Sequence, residues 1–226
     1  MQTHAIKGIV TDVDGTLTSY DRRAYLPALE ALRKVHDMKF EVILATGNVL
    51  PIAYAYYRII GLSGPVIAEN GGILFHNHKV EYLNSIQEAQ RAYDFLRRQM
   101  KVERLFTDRW RVTEIALEPV EDIGTVRRLL KEFRVNVESS GFAVHIASSN
   151  SNKFTALQKA CSMIGLDMKE LAVFGDSYND IEMFRGCGIR VAVANAPQEL
   201  KEISDYVTKG THGEGFVEGL QWLGLI

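Results

Sequence analysis

The sequence predicts a Rossmann-like α/β protein, a parallel open sheet interrupted by a smaller α+β unit. Two observations lead there. In the first and last parts of the chain, short apolar runs end in polar, glycine-containing turns and alternate with helical patterns, as in a parallel sheet. Between about Leu83 and Ser151 the rhythm changes to helices beside apparent antiparallel strands. The simplest architecture is a core of residues 1–83 and 152–226, with residues 84–151 inserted as a small cap and hinges near Leu83 and Ser151.

Element by element, Ile6–Val13 reads as a buried strand ending at Gly15, followed by a helix with Leu26, Leu29, Leu32 and Val35 at helical spacing. Phe40–Ala45 is a second strand, broken by Thr46-Gly47-Asn48 before another helix. Pro65–Ala68 is a third, leading into Glu69-Asn70-Gly71-Gly72. In the insert, Ile86–Met100 is amphipathic, Val112–Leu117 reads as a strand and Val120–Phe133 as a helix. Val135–Glu138 and Phe142–Ala147 form a hairpin across Ser139-Ser140-Gly141. The alternation then resumes with helix Phe154–Ile164 stopped by Gly165, strand Leu171–Phe174, helix Asn179–Phe184 and strand Ile189–Val193.

Composition bounds the function. A hydrophobic fraction of 46%, a charged fraction of 24% and a formal net charge of −2 describe an ordinary globular protein. No concentrated positive surface invites nucleic acid or an anionic membrane. The two cysteines, Cys161 and Cys187, read as buried thiols and lack the spacing of a metal site. With no leader-like N-terminus and no apolar run near the ~20 residues that span a bilayer, the expected setting is cytoplasmic. Either a monomer or a homodimer is compatible with the sequence.

The polar residues collect at the carboxyl ends of the predicted parallel strands, where open sheets bind ligands. Asp12 and Asp14 close the first strand and, two apart, project to one face. Thr46 closes the second, and Asp176, Asn179 and Asp180 follow the strand ending at Phe174. Any single strand-end Asp also reads as a turn or helix cap. Four of them at two strand ends call for a hard divalent cation, and all-oxygen ligation favours Mg²⁺.

These motifs resemble those of the haloacid dehalogenase superfamily. Asp12-Val13-Asp14-Gly15-Thr16-Leu17-Thr18 is similar to its first motif and Gly175-Asp176-Ser177-Tyr178-Asn179-Asp180 to its fourth. Thr46-Gly47-Asn48 resembles the second motif, and Lys153 opening a helix resembles the third. The insert falls where the superfamily's C2 caps sit. Glu69-Asn70-Gly71-Gly72 is similar to the Cof-type branch. A cap of helix-strand-strand repeated twice looks most like that of the archaeal-type phosphoglycolate phosphatases.

The resemblance implies a Mg²⁺-dependent phosphomonoesterase working through an aspartyl-phosphate. Asp12 would be the nucleophile and a metal ligand. Asp14 would be general acid and base, with its main-chain carbonyl on the metal. Asp176 would be a ligand, and Asp180 either a ligand or an anchor. Thr46, Gly47, Asn48, Lys153 and Asn179 would hold the phosphoryl oxygens. Asp14 itself argues for phosphoester chemistry, because superfamily dehalogenases and transport ATPases lack this carboxylate. Asn48 departs from many Cof-type relatives, which carry Arg there.

Cap candidates for substrate reading are Arg109, Arg111 and His145. The arginines also read as an exposed loop or strand edge, and His145, alternating with Val144 and Ile146, as a solvated or hydrogen-bonded sheet histidine. His76 and His78 sit in a turn, and His212-Gly213-Glu214-Gly215 reads as a Gly-rich loop. The expected substrate is 2-phosphoglycolate. The competing readings are a broader sugar-phosphate phosphatase, a phosphomutase, and a non-catalytic phospho-ligand binding module.

Overall fold

The computed structural model describes residues 6–139 and 142–226, so the predicted hairpin turn at Ser140-Gly141 lies outside the described residues. The strands are β1 (Gly8–Thr11), β2 (Glu41–Ala45), β3 (Val66–Ala68), β4 (Ile73–His76), β5 (Lys79–Tyr82), β6 (Glu114–Leu117), β7 (Val135–Ser139), β8 (Val144–Ser148), β9 (Leu171–Gly175), β10 (Ile189–Ala192) and β11 (Tyr206–Val207). The helices are α1 (Leu26–Asp37), α2 (Leu50–Ile60), α3 (Gln87–Gln99), α4 (Ile123–Leu129), α5 (Lys153–Ile164), α6 (Ile181–Gly186), α7 (Gln198–Glu202) and α8 (His212–Trp222).

An eight-stranded sheet has the order β11-β10-β9-β1-β2-β3-β4-β5, parallel from β11 through β3, and a three-stranded antiparallel sheet has the order β6-β8-β7. Val10 stands between Ile43 and Val173. The chain leaves β1 toward β2 on one side and returns as β9 on the other, so the switch point of the sheet lies between β1 and β9. A crevice opens at the strand ends of such a point. Strand alternation feeds both faces: Ile9, Val42, Leu44 and Phe174 pack with α1 and α8, while Val10, Ile43 and Val173 pack with α5 and α6. The small sheet has its own apolar layer, Ile115 and Ile146 against Ala89, Leu96 and Val126. Among the described residues no helix is long and apolar enough to cross a membrane.

Several predicted elements shorten, each for a physical reason. The first strand ends at Thr11 rather than Val13, although the Asp12 amide still donates to Phe174 O at 3.0 Å. Asp12 and Asp14 therefore meet through the turn that follows, not through strand alternation. β6 begins at Glu114 rather than Val112, because the Val112 and Thr113 amides donate to the Glu69 carboxylate. The predicted helix Val120–Phe133 is confined to α4, started by the Asp122 side chain accepting from the Thr125 amide at 3.1 Å. Tyr178–Asp180 form a separate 3₁₀ turn before α6.

Among the described residues of 84–151, helix-strand-strand does not occur twice. Phe106–Trp110, ahead of β6, is 3₁₀ helix, and only an isolated bridge joins Arg104 to Leu117. His76 and His78 border the tight turn of the unforeseen β4–β5 hairpin, with Asn77 and His78 at φ 47° and 61°. His212–Gly215 is not a loop: it opens α8. Both cysteines are free and buried, and Gly165 closes α5 at φ 71° as a left-handed cap.

Glu69 ties the two sheets together. Fully buried after β3, its Oε2 accepts from Val112 N (3.1 Å), Thr113 N (2.8 Å) and Thr113 Oγ1 (2.6 Å). Glu69→Ala strands three donors in a buried place. Its unfolding free energy in urea should drop by about 2–4 kcal/mol. A loss below about 0.5 kcal/mol, the scale of an ordinary surface change, would show that the joint is not structural.

Candidate active site

The site lies at the crevice between β1 and β9. Gly15, at φ 87°, allows the turn after β1 to bring its backbone against Asp176; a Cβ there would sit 2.8 Å from the Asp176 carboxyl carbon. Asp12, Asp14, Asp176, Gly47, Asn48 and Asn179 line one pocket with Arg111 and His145 from the small-sheet side.

Lys153 is buried at the start of α5, which Asn152 caps through the Thr155 amide. Its ammonium reaches Asp12 Oδ1 at 2.5 Å, Asp180 Oδ1 at 2.8 Å and Asn179 Oδ1 at 3.4 Å. Both Asp180 oxygens are committed: Oδ1 to Lys153, and Oδ2 to the amides of Asp176 (3.2 Å) and Ser177 (3.1 Å). Asp180 is thus placed as an anchor of the loop. Asp176 accepts from Thr16 Oγ1 at 2.8 Å and from Asn195 Nδ2 at 3.4 Å. Asn195 also accepts from the His212 amide at 2.7 Å, so the α8 start supports Asp176 indirectly and does not form the pocket wall. Thr46, buried at the end of β2, takes the Asn48 amide on its Oγ1 at 3.0 Å.

Burial raises the Asp12 carboxyl well above its ordinary range; Lys153 opposes this and the neighbouring aspartates add to it. Burial also raises Asp14, against the pull of Arg22 and Lys153. Asp176 is pushed to about 7, by burial first and then by Asp180. For Lys153, burial favours the neutral amine, but Asp12 and Asp180 overcome it and keep the ammonium charged. The mutual repulsion of Asp12, Asp14, Asp176 and Asp180 that helps raise these carboxyls is what a hard cation would relieve. Among the described residues no three His, Cys, Asp or Glu side chains form a closed metal cage. The available donors instead suit an ion held by two carboxylates, a main-chain carbonyl and water, as Mg²⁺ prefers.

Of the insert candidates, the structure brings Arg111 and His145 to the pocket and turns Arg109 away. Arg109 is exposed, donates to Phe106 O at 3.1 Å and stacks 4.4 Å from the Phe106 ring. The 3₁₀ turn, not strand alternation, separates the two arginines. His145 is buried rather than solvated, because the outer face of β8 is turned onto the site. Its Nδ1 lies 3.0 Å from Glu114 Oε1. Arg111 Nη1 donates to Gly47 O at 2.9 Å and to the same Glu114 oxygen, while its Nε is buried without a partner among the described residues. Asn48 donates its amide to Asp14 Oδ2.

Sequence reasoning missed Glu114, Asn70 and Arg22. Glu114 carried one signal, a charge at the head of an apolar strand. Arg22 lines the pocket and stacks 4.6 Å from the Phe142 ring, with no signal in its polar turn.

Comparison with known proteins extends over the whole fold. Residues 9–115 and 115–220 match the family model described as haloacid dehalogenase-like hydrolase. A protein named phosphoglycolate phosphatase from Methanothermobacter thermautotrophicus is 41% identical over 216 residues, covering 96% of this chain and 98% of that one. One of the same name from Archaeoglobus fulgidus is 42% identical over 222 residues, covering 97% and 98%. A crystal structure from Thermoplasma acidophilum superposes with a TM-score of 0.92 at 30% identity, covering 99% of this chain and 100% of the other. A haloacid dehalogenase-like hydrolase from Bacteroides thetaiotaomicron shares the fold, with a TM-score of 0.79 at 22% identity over 96% and 99% of the two chains. Matched along nearly its full length by the family model and by these relatives, the chain belongs to the haloacid dehalogenase-like hydrolases.

Proposed function

We propose that the chain is a Mg²⁺-dependent phosphomonoesterase that hydrolyses 2-phosphoglycolate through an aspartyl-phosphate on Asp12, with residues 84–151 serving as a cap over a core of 1–83 and 152–226. The observation that carries the substrate is the buried Nε of Arg111, without a hydrogen-bond partner among the described residues, on the wall of a pocket that also holds Asp12 and Asp14. A phosphoester placed on Asp12 leaves its other end toward Arg111 and His145. A carboxylate there gains charge-assisted hydrogen bonds that a neutral tail does not. The name of the relatives points to the same molecule.

In this mechanism an Asp12 carboxylate oxygen attacks phosphorus in line and the ester oxygen leaves. Asp14, raised by burial and held by Asn48, donates the proton that the leaving alkoxide takes. It then removes a proton from the water that hydrolyses the acyl-phosphate, freeing phosphate and restoring Asp12. Lys153 and the Thr46–Asn48 loop offset charge on the phosphoryl oxygens, and Asn179 steadies Lys153. Asp12, Asp176 and the Asp14 carbonyl would hold the ion, with Asp180 fixing their loop. Mg²⁺, when bound, neutralises carboxylate and phosphate charge so that the two anions can approach.

Two expected results test this. Arg111→Ala should cut kcat/KM for phosphoglycolate by about tenfold to a hundredfold, as for one charged hydrogen bond, and for p-nitrophenyl phosphate far less. Equal losses on both substrates would make Arg111 a support of the cap instead. The second result concerns the metal. The raised Asp176 stabilises the metal-free protein fully below its unfolded range and loses that contribution as pH rises through about 7. Added Mg²⁺ requires the ionised carboxylate, so it should raise the melting temperature at about pH 8 and much less at about pH 5. A Mg²⁺ shift of equal size at both pH values would contradict the ligand set.

A further inference from the structure

We infer that Glu114 is a positioning residue for substrate selectivity, oriented from the catalytic lysine by a two-amide relay through Asn179 and Asn70; this rests on the carboxylate-reading role proposed for Arg111 and His145. The relay is short and its direction is fixed at both ends. Lys153 Nζ, which has only donors, lies 3.4 Å from Asn179 Oδ1, and Ser177 Oγ donates to the same oxygen at 2.5 Å. Asn179 must then present its amide nitrogen outward, and Nδ2 donates to Asn70 Oδ1 at 3.0 Å. Asn70 in turn donates through Nδ2 to Glu114 Oε2 at 3.0 Å. The relay ends on a carboxylate, which only accepts.

The other oxygen of Glu114 meets two further pocket side chains, Arg111 through Nη1 and His145 through Nδ1. Glu114 is fully buried, and burial alone would raise its carboxyl; Arg111 and His145 reverse this and hold it below its ordinary range. A permanent negative charge beside a site that binds an anionic tail opposes that binding by simple electrostatics. Its place in the structure is explained by geometry: one carboxylate fixes the Arg111 and His145 side chains at once and registers them to the helix start that carries Lys153. Asn70 suits the joint because its backbone, at φ 51°, is a left-handed position that Asn tolerates.

This account predicts a sign that charge alone does not. Glu114→Gln removes the negative charge, so a purely electrostatic role would tighten phosphoglycolate binding. With its neutral oxygen kept toward Arg111 and His145, the new Gln turns its amide nitrogen on the Asn70 amide nitrogen, donor against donor; turned over, it sets that nitrogen against the Arg111 and His145 donors, which then lose their common anchor. Asn70→Asp alone sets two carboxylates against each other. Asn70→Asp combined with Glu114→Gln restores a consistent chain with the same total charge, the new carboxylate at 70 accepting from both Asn179 and the Gln amide.

The experiment measures kcat and KM for phosphoglycolate and p-nitrophenyl phosphate, with Mg²⁺, in the wild type, both single variants and the double variant, with melting curves for each. We expect each single variant to raise KM for phosphoglycolate by about tenfold or more and to lower the ratio of the two kcat/KM values, with the double variant recovering most of that ratio. The double variant keeps the test decisive if a single variant melts early. Tighter phosphoglycolate binding in Glu114→Gln, or no recovery in a folded double variant, would overturn the positioning role. A wild type that does not turn over phosphoglycolate would overturn the substrate reading, and this inference with it.

Discussion

Asp12→Asn is expected to abolish turnover while leaving the fold in place. The carboxamide is a poor nucleophile toward phosphorus and adds no charge for a metal, so both contributions of the residue disappear together. The expected loss in kcat exceeds about a thousandfold, beyond the roughly 10²–10³ that follows removal of one electrostatic contact. Stability should change little, because Lys153 retains Asp180 at 2.8 Å and Asp12 is itself repelled by three neighbouring aspartates. The check is steady-state turnover of phosphoglycolate beside a melting curve. A folded Asp12→Asn protein with wild-type kcat would remove the covalent pathway.

Lys153→Met should damage both function and stability. Lys153 is one of the largest fully buried side chains and ion-pairs with two carboxylates that are themselves buried. Methionine fills much of the volume but leaves Asp12 and Asp180 uncompensated, a change that costs about 3–5 kcal/mol for a broken buried pair. Turnover should fall by about 10²–10³ because a positive charge at the phosphoryl oxygens is gone. Mg²⁺ should recover part of the stability, by neutralising the same carboxylates, and little of the activity. Chemical denaturation with and without Mg²⁺ measures the first, and saturating kinetics the second. A variant as stable as wild type in the absence of metal would mean that the carboxylates are protonated rather than paired.

The catalytic half of this site was legible in the sequence because it breaks a pattern. Asp12, Asp14 and Asp176 stand where apolar strands should simply turn, and Lys153 opens an apolar helix after a polar linker. The order of the sheet follows from alternation of strand and helix, and its switch point puts the polar ends together. The selective half was less legible. His145 could be assigned to the face opposite Val144 and Ile146, but alternation does not say what covers that face, and here it is the pocket that Asp12 and Asp14 line. Glu114 and Asn70 meet across 44 positions of sequence, and neither acts except through its partners. Arg109 and Arg111 look equivalent as a pair until a 3₁₀ turn separates them. Buried polar contacts of this kind depend on geometry that composition and periodicity do not encode.

One pocket that joins an Asp12 phosphoryl site to a reader of anionic tails should reveal itself in a side-by-side kcat/KM survey of phosphorylated metabolites with Mg²⁺. Phosphoglycolate should exceed esters with neutral tails, sugar phosphates and p-nitrophenyl phosphate among them, by at least about tenfold, the scale of one charged hydrogen bond. Equal or higher kcat/KM on the sugar phosphates would contradict it.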